Sequence, residues 1–297
     1  MTAFIGPRRL RALRGESMPE LPEVETMRRG ILGIIGSRVT DVERVPCQRR
    51  PIAIAPRIDR FRQRAVGRSV TDVGRVGKRV LVHLDSGDAM VLEPRMTGLV
   101  LVADPPTHEH LRFRCSLSGG QIREFLYWDR RGLGNVRLIS PKEFEEALGP
   151  AKLGPDALLV TAELYRERLG TSGRAVKVAL LDQRAVAGIG NLYASEILHL
   201  AHIHPAVPCD RLTRAQWERV ADATREVLEL AIRYEGSTLG DGTYRNALNQ
   251  TGGYQNHHRV YDRAGDGCHN CGTGSAIVRI VQAQRATFFC PGCQRKR

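Results

Sequence analysis

The stretch MPELPEVETMRRG, Met18–Gly30, places a proline directly after a methionine and three glutamates in the eight residues that follow it. From Pro22 to about Ile35 apolar residues recur at helical spacing, and a proline suits the first turn of a helix, so the stretch predicts a short helix. The proline and glutamates could serve only to begin that helix. They could also carry chemistry, because translation from Met18 and removal of that residue would leave Pro19 as the N-terminus.

An N-terminal proline is a secondary amine, whereas a proline inside a chain is an amide without a nucleophilic lone pair. Since α-amino groups titrate near about 8, part of such an amine is unprotonated at neutral pH. Its attack on an aldehyde-like carbon gives an iminium, the electron sink of Schiff-base catalysis, with Glu20 beside it as acid or base. Residues 1–17 carry four arginines and lack the apolar centre of a secretory signal. We therefore expect residues 1–17 to be a non-native or disordered extension and Met18 to be the start.

The composition indicates a globular chain with a polyanionic partner. The chain has 297 residues, enough for two or three domains, and 42% of them are hydrophobic. Lys and Arg total 45 against 32 Asp and Glu, which gives a net charge of +13. Nucleic acid is the first partner to consider, although such a charge could also serve only solubility. No run of 18 apolar residues occurs, so no membrane contact is expected.

The hydrophobic period changes twice along the chain. Residues 38–140 contain short β-type runs such as KRVLVHLD and LRFRCSL, with turn-like junctions DSGD and LSGG, which predict an antiparallel sandwich or barrel. A linker rich in Gly and Pro follows, and then helices are predicted over residues 161–169, 175–183, 191–201 and 213–234. Thr213 and Gln216 have the spacing of a capping box at the start of the last helix.

Residues 235–258 hold five glycines, few apolar residues and no period. We expect this segment to contribute nothing to a core and to act as a functional lid or stay disordered.

Four cysteines at the C-terminus have metal-ligand spacing. Cys268 and Cys271 form one C-x2-C pair, and Cys290 and Cys293 form the second after eighteen intervening residues. Four thiolates at two tight turns predict a closed structural zinc site. The other three cysteines are scattered and odd in number, which argues against a disulfide framework and for a reducing cytoplasm.

The segment between the cysteine pairs is expected to form one β-hairpin with Arg285 at its apex. Arg285 could be a surface arginine without a role or a phosphate contact. A glycine turn earlier in the chain, Gly188 and Gly190 before Asn191, could be a plain turn. With Asn191 as N-cap of the next helix, its free amides could also bind an anion.

Five motifs together resemble the formamidopyrimidine-DNA glycosylase family of bacterial repair enzymes. They are PELPEVET, GKRVLV, RMTG, GIGNLYASEILHLAHIHP and QRATFFCPGC, in the family's order from Met18 to about Cys293. The resemblance implies an α+β multidomain protein with an N-terminal antiparallel β-sandwich, a helix–two-turn–helix domain and a C-terminal zinc-finger β-hairpin. We expect these domains at residues 18–150, 151–258 and 259–297.

The resemblance also implies an activity and a partner. The expected substrate is damaged double-stranded DNA, from which the enzyme excises 8-oxoguanine and formamidopyrimidines before cutting the abasic strand by β,δ-elimination through a Schiff base. One structural zinc, a monomer and a bacterial cytoplasmic location at the nucleoid are expected with it.

Residue by residue, the resemblance implies four catalytic positions and six DNA contacts. Pro19 matches the nucleophile and Glu20 the adjacent acid or base. Lys78 matches the lysine linked to β-elimination and phosphate contact, and Arg285 the zinc-finger arginine linked to δ-elimination. The DNA contacts implied are the base-stack wedge Met96, then His108, Arg131, Leu133, Lys177 and Asn191.

Three departures from the family pattern keep alternatives open. The loop DRRGLG has Gly132 and Leu133 where the family has an arginine and a phenylalanine, which bears on the choice of the opposite base. Glu93 stands where the family has a phosphate-contacting histidine. The third is the extension, because a protein that retains it has no free Pro19 amine. One alternative is a related glycosylase for oxidised pyrimidines, whose motif more often has glycine at Leu21. The other is a DNA-binding protein without catalysis.

Overall fold

A computed structural model describes residues 19–240 and 242–296. The proposed start at Met18 and the extension at residues 1–17 lie outside the described residues. Within the described chain, the predicted order of a β-sandwich, a helical unit and a β unit at the cysteines is confirmed.

The N-terminal unit begins with helix α1, Leu21–Gly30, which is shorter than predicted. A Cβ on Gly30 would lie 2.4 Å from the Cβ of Ala247, so this close contact with another segment needs a glycine. The chain continues from there as a 3-10 turn, Leu32–Ile34.

Two sheets face each other behind α1, and their buried faces form the core of this unit. The first has the order β1-β7-β8-β6, with β1 Arg38–Arg44, β6 Gly98–Leu101, β7 Leu111–Ser118 and β8 Glu124–Asp129. The second has the order β2-β9-β5-β4-β3, with β2 Ala53–Ala55, β3 Val70–Val76, β4 Arg79–Leu84, β5 Ala89–Glu93 and β9 Asn135–Ile139.

Two features of this unit differ from the expectation. The ladders are antiparallel except that β2 pairs in parallel with β9, and β2, at three residues, is too short to show an alternating pattern. Helix α2, Ile58–Ala65, was not predicted: Ile58, Phe61 and Ala65 do have helical spacing, but eight residues are fewer than the window in which such a period can be recognised.

The helical unit follows, and its capping-box prediction is confirmed. The Thr213 hydroxyl accepts from the Gln216 amide and the Gln216 side chain accepts from the Thr213 amide. Helix α5 ends earlier than predicted, because the Asp182 and Gln183 side chains bind nearby backbone groups in place of another helical turn. Helix α3, Pro141–Leu148, precedes this unit and packs against the sandwich strands through Leu148. The helices of the unit itself are α4 Ala162–Leu169, α5 Val176–Ala179, α6 Asn191–Leu200 and α7 Arg214–Arg233.

The glycine-rich segment 235–258 packs into both cores, so the expectation that it contributes to none is wrong. Tyr244 and Ala247 are buried in the sandwich core, and Tyr254 is buried in the helical core. The Val102 amide donates to the Ala247 carbonyl at 2.9 Å. A few well-placed buried residues and local side-chain hydrogen bonds order this segment, which explains why it shows no period.

The C-terminal unit has two ladders where one hairpin was predicted. Strand β10, Gly267–Cys268, pairs with β11, Gly272–Ala276, across the first cysteine pair. Strand β12, Val278–Gln282, pairs with β13, Arg285–Phe289.

Candidate active site

Residues 19–21 pack against the glycine turn, Gly188–Gly190, that precedes α6 and bind it by hydrogen bonds. Pro19 is buried, and the Leu21 amide donates to the Gly188 carbonyl at 3.1 Å. Glycine is required at both positions of this turn. Gly188 has a φ of +116°, and a Cβ on Gly190 would lie 2.3 Å from the Glu20 carboxyl carbon.

The carboxylate of Glu20 caps α6 from outside the helix. It accepts hydrogen bonds from the amides of Gly190 at 2.6 Å, Leu192 at 2.9 Å and Tyr193 at 3.4 Å. The N-cap of α6 is Gly190, so the prediction of Asn191 as N-cap is wrong. The anion held by these amides is the protein's own glutamate, and they are not free for a phosphate.

Glu20 is only 3% exposed, and its pKa lies close to neutral pH. Burial raises the pKa of Glu20 to about 7, although the Lys78 charge and the backbone amides lower it in part. The neighbouring Glu23 adds to the increase. A carboxyl group with this pKa can both donate and accept a proton at neutral pH.

Glu23 is a site residue that the sequence reasoning missed. It is buried and accepts from the Glu20 amide at 3.0 Å, the Tyr193 hydroxyl at 2.6 Å and the Ser237 amide at 2.8 Å. Burial raises its pKa, against these hydrogen bonds. The signal was present, because Glu23 stands three residues after Glu20 at the start of a helix.

Lys78 and Arg285 reach the same region from opposite units. Lys78 is half-buried in the two-residue turn between β3 and β4. Burial lowers its pKa; the Glu20 charge opposes this and the Arg285 charge adds to it. Arg285 is exposed directly after the turn residues Ala283 and Gln284. The structure thus brings Glu20, Lys78 and Arg285 into one electrostatic cluster.

Asn191 and Lys177 hold strand β13 of the C-terminal unit. The Asn191 amide group donates to the Ala286 carbonyl at 3.0 Å. Lys177 donates to the Asn191 side-chain oxygen and, at 3.4 Å, to the same carbonyl. The Lys177 side chain is fully buried, and burial together with Arg285 lowers its pKa to about 8 against the effect of Glu20. In this conformation Lys177 supports Asn191 and is not open to a DNA strand.

The predicted DNA contacts Met96 and Leu133 lie on neighbouring turns that are both hydrogen-bonded to Asp129. Met96 is half-buried in the turn before β6, and Leu133 is half-buried in the loop after β8. The Thr97 hydroxyl donates to the Asp129 carboxylate, and the Gly134 amide donates to the same carboxylate at 2.8 Å. Asp129 therefore fixes the two turns relative to each other.

The departure at Gly132 has a structural reason. Gly132 has a φ of +62°, and a Cβ there would lie 2.2 Å from the Arg50 carbonyl oxygen. This backbone has no room for an arginine at position 132. Arg131 beside it is exposed, and its amide donates to the Thr97 hydroxyl at 2.9 Å. His108 is exposed on a separate 3-10 turn, His108–His110.

Glu93 forms ion pairs with two arginines. Its carboxylate lies 3.2 Å from Arg79 and 3.1 Å from Arg95 and accepts from the Asn135 amide group at 3.1 Å. Burial would raise the pKa of Glu93, but Arg79, Asn135 and Arg95 lower it. Position 93, where the family resemblance implies a histidine that contacts a phosphate, therefore carries a charged carboxylate.

The four clustered cysteines could hold a metal ion. Their sulfur atoms all lie within 4.8 Å of one another. The Cys268–Cys293 and Cys271–Cys290 sulfur distances are 3.6 and 3.7 Å, and the Cys271–Cys293 distance is 2.9 Å. Tetrahedral metal–sulfur bonds of about 2.3 Å place sulfur atoms about 3.8 Å apart. Two of the three distances match this geometry.

Glu196 is a second residue that the sequence reasoning missed, and it holds the segment that leads into the C-terminal unit. Glu196 is fully buried on α6 and accepts from the amides of Arg259, Val260 and Tyr261 at 2.8, 3.0 and 2.7 Å. A glutamate inside a helix gives no sequence signal for such a contact.

Comparison with known proteins gives a consistent result. The formamidopyrimidine-DNA glycosylase N-terminal domain matches residues 18–136, and the formamidopyrimidine-DNA glycosylase H2TH domain matches residues 153–242. The formamidopyrimidine-DNA glycosylase of Chloroflexus aurantiacus is 39% identical over 283 residues, which cover 93% of this chain and 98% of that protein. That of Rhizorhabdus wittichii is 40% identical over 288 residues, covering 94% and 100%.

Solved structures show the same likeness. A Lactococcus lactis FPG mutant in complex with DNA containing Fapy-dG has a TM-score of 0.82 and 31% identity, covering 94% of this chain and 100% of that chain. The MutM (FPG) protein from Thermus thermophilus has a TM-score of 0.80 and 35% identity, with the same coverage.

Among the described residues, no helix has both the length and the apolar character to cross a bilayer.

Proposed function

The chain belongs to the formamidopyrimidine-DNA glycosylase family, and we propose that this DNA glycosylase uses Pro19 as its nucleophile and Glu20 as its acid–base group. It is a base-excision repair enzyme for oxidised purines, and its family implies AP lyase activity. The observation that carries the assignment is the Glu20 carboxylate. It is buried next to Pro19, bound by three amides, and has a pKa of about 7.

The chemistry follows from these two groups. The Pro19 amine attacks C1′ of the damaged nucleotide and gives up its proton, while the bond between C1′ and the base breaks and the base leaves with the electron pair and takes up a proton. Protonated Glu20 supplies a proton as the sugar ring opens, and the product is an iminium between Pro19 and C1′. Loss of a C2′ proton then expels the 3′ phosphate, and a second elimination expels the 5′ phosphate. An acylated proline cannot begin this sequence, so the active form starts at Pro19.

The DNA contacts divide between the strands and the base stack. Support for phosphate contact by Lys78, Asn191 and Arg285 comes from their origin in three different units: Lys78 interacts with Glu20 and Arg285, and Asn191 binds the carbonyl of Ala286, the residue after Arg285. Met96 and Leu133 lie on tied turns, suited to filling the space left by an extruded nucleotide. Arg131 and His108, both exposed, are assigned to the strand backbone or opposite base. Lys177 is assigned an indirect role through Asn191.

We assign the domains to residues 18–150, 151–258 and 259–297, and a zinc ion to the last. Cys268, Cys271, Cys290 and Cys293 supply four thiolates, the donor set that zinc prefers in closed structural sites. Zinc there would stabilise the ladder that carries Arg285. We place the enzyme in the bacterial cytoplasm at the nucleoid, because its partner is DNA, and we assign it a monomeric state, as the family resemblance implies.

The test compares two forms of the protein on duplex DNA. Protein begun at Pro19 should excise 8-oxoguanine, form a borohydride-trappable adduct and cut the strand, whereas protein that retains residues 1–17 should bind and do none of these. Binding without an adduct in both forms would leave a DNA-binding protein without catalysis. Faster excision of thymine glycol than of 8-oxoguanine would favour the oxidised-pyrimidine enzyme.

A further inference from the structure

Arg75 lies where three backbone segments of the active site meet. Its side chain is 9% exposed and bridges two carboxylates from different parts of the chain, Glu25 on α1 at 3.1 Å and Asp156 at 2.6 Å. The same guanidinium donates to the Gly77 carbonyl at 2.9 Å. Gly77 begins the turn that carries Lys78.

The Arg75 contacts reach the glycine turn as well. The Ala157 amide donates to the Ala187 carbonyl, and the Ala187 amide donates to the Pro155 carbonyl, both at 2.9 Å. Asp156 lies between these two bonds, and Ala187 directly precedes Gly188, whose carbonyl binds the Leu21 amide. A shift of Asp156 would therefore move the peptide that holds the Pro19–Glu20 segment.

Packing alone does not hold the Lys78 turn in place. A pocket of about 400 Å³ that is open to solvent borders it, lined by Arg75, Val76, Gly77, Leu153, Asp156 and Ala187, among others. Since the turn has no protein packed against it on this side, directional hydrogen bonds contribute to its position. The Arg75 guanidinium supplies one from the side chain to the Gly77 carbonyl.

A nearly buried arginine between two carboxylates contributes little to the free energy of folding. Desolvation of such charges offsets much of their attraction. Burial would raise the pKa of Glu25, but hydrogen bonds from Arg28, Arg29 and Arg75 lower it to about 2. Glu25 is therefore charged at neutral pH, and a positional role explains the cluster better than a stabilising one.

We propose that Arg75 is a positioning residue that holds the Lys78 turn and the Gly188–Gly190 turn in register with Glu20. It touches none of the reacting atoms and acts through Gly77 and Asp156. Its effect on the reaction rate rests on the proposed function; its effect on the two turns does not.

The kinetic test uses Arg75→Lys beside a matched control. Lysine keeps the charge but cannot reach Glu25, Gly77 and Asp156 together. Arg64→Lys is the control, because Arg64 pairs with Asp88 at 2.8 Å in the same unit, 25% exposed, on α2. Single-turnover excision of 8-oxoguanine should fall at least tenfold in Arg75→Lys, with affinity for abasic DNA within threefold of the wild type. Arg64→Lys should keep the wild-type rate. Equal rates in both variants, or a loss of rate matched by a loss of affinity, would overturn the proposal.

An activity-independent measurement separates this proposal from the function it builds on. In DNA-free protein, amide hydrogen exchange in peptides covering residues 74–80 and 185–190 should become at least tenfold faster in Arg75→Lys, while residues 89–93 stay unchanged. Arg64→Lys should leave both peptides as in the wild type. Unchanged exchange in Arg75→Lys refutes the positioning role even if the enzyme is active. Faster exchange in a protein that never forms a borohydride adduct would support positioning and count against the proposed function.

Discussion

Glu20→Gln should make the stability of the protein less dependent on pH. In the folded protein the pKa of Glu20 is about 7, against 4.5 for an ordinary glutamate, because the carboxyl group is buried. The folded state therefore binds more protons than the unfolded state between these two values. The contribution of Glu20 to the free energy of unfolding is therefore fully present below pH 4.5 and is lost as the pH rises through 7.

The magnitude follows from the two pKa values. One pKa unit corresponds to about 1.36 kcal/mol, and integration between pH 5 and pH 8 gives a loss of about 2.5 kcal/mol attributable to Glu20. Glutamine does not titrate, so the variant should lack this loss. The variant also places an amide NH2 opposite a backbone donor, since Gly190, Leu192 and Tyr193 all donate to Glu20. That cost does not depend on pH and cancels in the comparison.

Urea unfolding of both proteins at pH 5 and pH 8 measures the effect. From pH 5 to pH 8 the wild type should lose about 2.5 kcal/mol more than Glu20→Gln. Contributions from groups that do not interact with the Glu20 charge, such as the cysteines, are common to both proteins, whereas those of Glu23, Lys78 and Lys177 change with it and are part of the measured difference. A difference below about 1 kcal/mol, or one of opposite sign, would mean that Glu20 stays ionised in the folded protein, and the reasoning on burial would be wrong.

Three further predictions concern the metal, the DNA contacts and the glycine-rich segment. Cys290→Ser should lower zinc below one ion per chain by elemental analysis and weaken DNA binding in parallel; zinc at the wild-type level would contradict the four-cysteine site. Arg285→Ala should flatten the salt dependence of DNA binding by about one unit, whereas Arg279→Ala, an exposed arginine on β12, should not. Equal slopes would remove Arg285 from the phosphate contacts. Tyr244→Ala should cost about 3 kcal/mol and open residues 238–250 to protease in the absence of DNA, because Tyr244 is 4% exposed in the sandwich core. Unchanged protease resistance would mean that other contacts hold this segment.

Local spacing is what made much of the fold predictable. The paired cysteines, the capping box of α7 and the change from an alternating to a helical period are all signals within a short window. The family motifs then supplied the order of the units. The end of α1 was not predictable, because Gly30 is there to admit Ala247 from more than two hundred residues away.

The site was less predictable, since its contacts join distant parts of the chain. The sequence marks Gly188, Gly190 and Asn191 as an anion-binding turn, but not that Glu20 is the anion. The bridge from Arg75 to Asp156 has no local signature either. The prediction for segment 235–258 was wrong because its order depends on three buried apolar residues that form no period.

The most direct test of the central claim is to locate the covalent bond. Protein that begins at Pro19 is mixed with 8-oxoguanine DNA, reduced with borohydride and digested, and the cross-linked peptide is sequenced by mass spectrometry. We predict that the reduced adduct lies on the Pro19 nitrogen, and that protein retaining residues 1–17 gives no adduct. An adduct on Lys78, or any adduct in the protein that retains the extension, would contradict the assignment of Pro19 as the nucleophile.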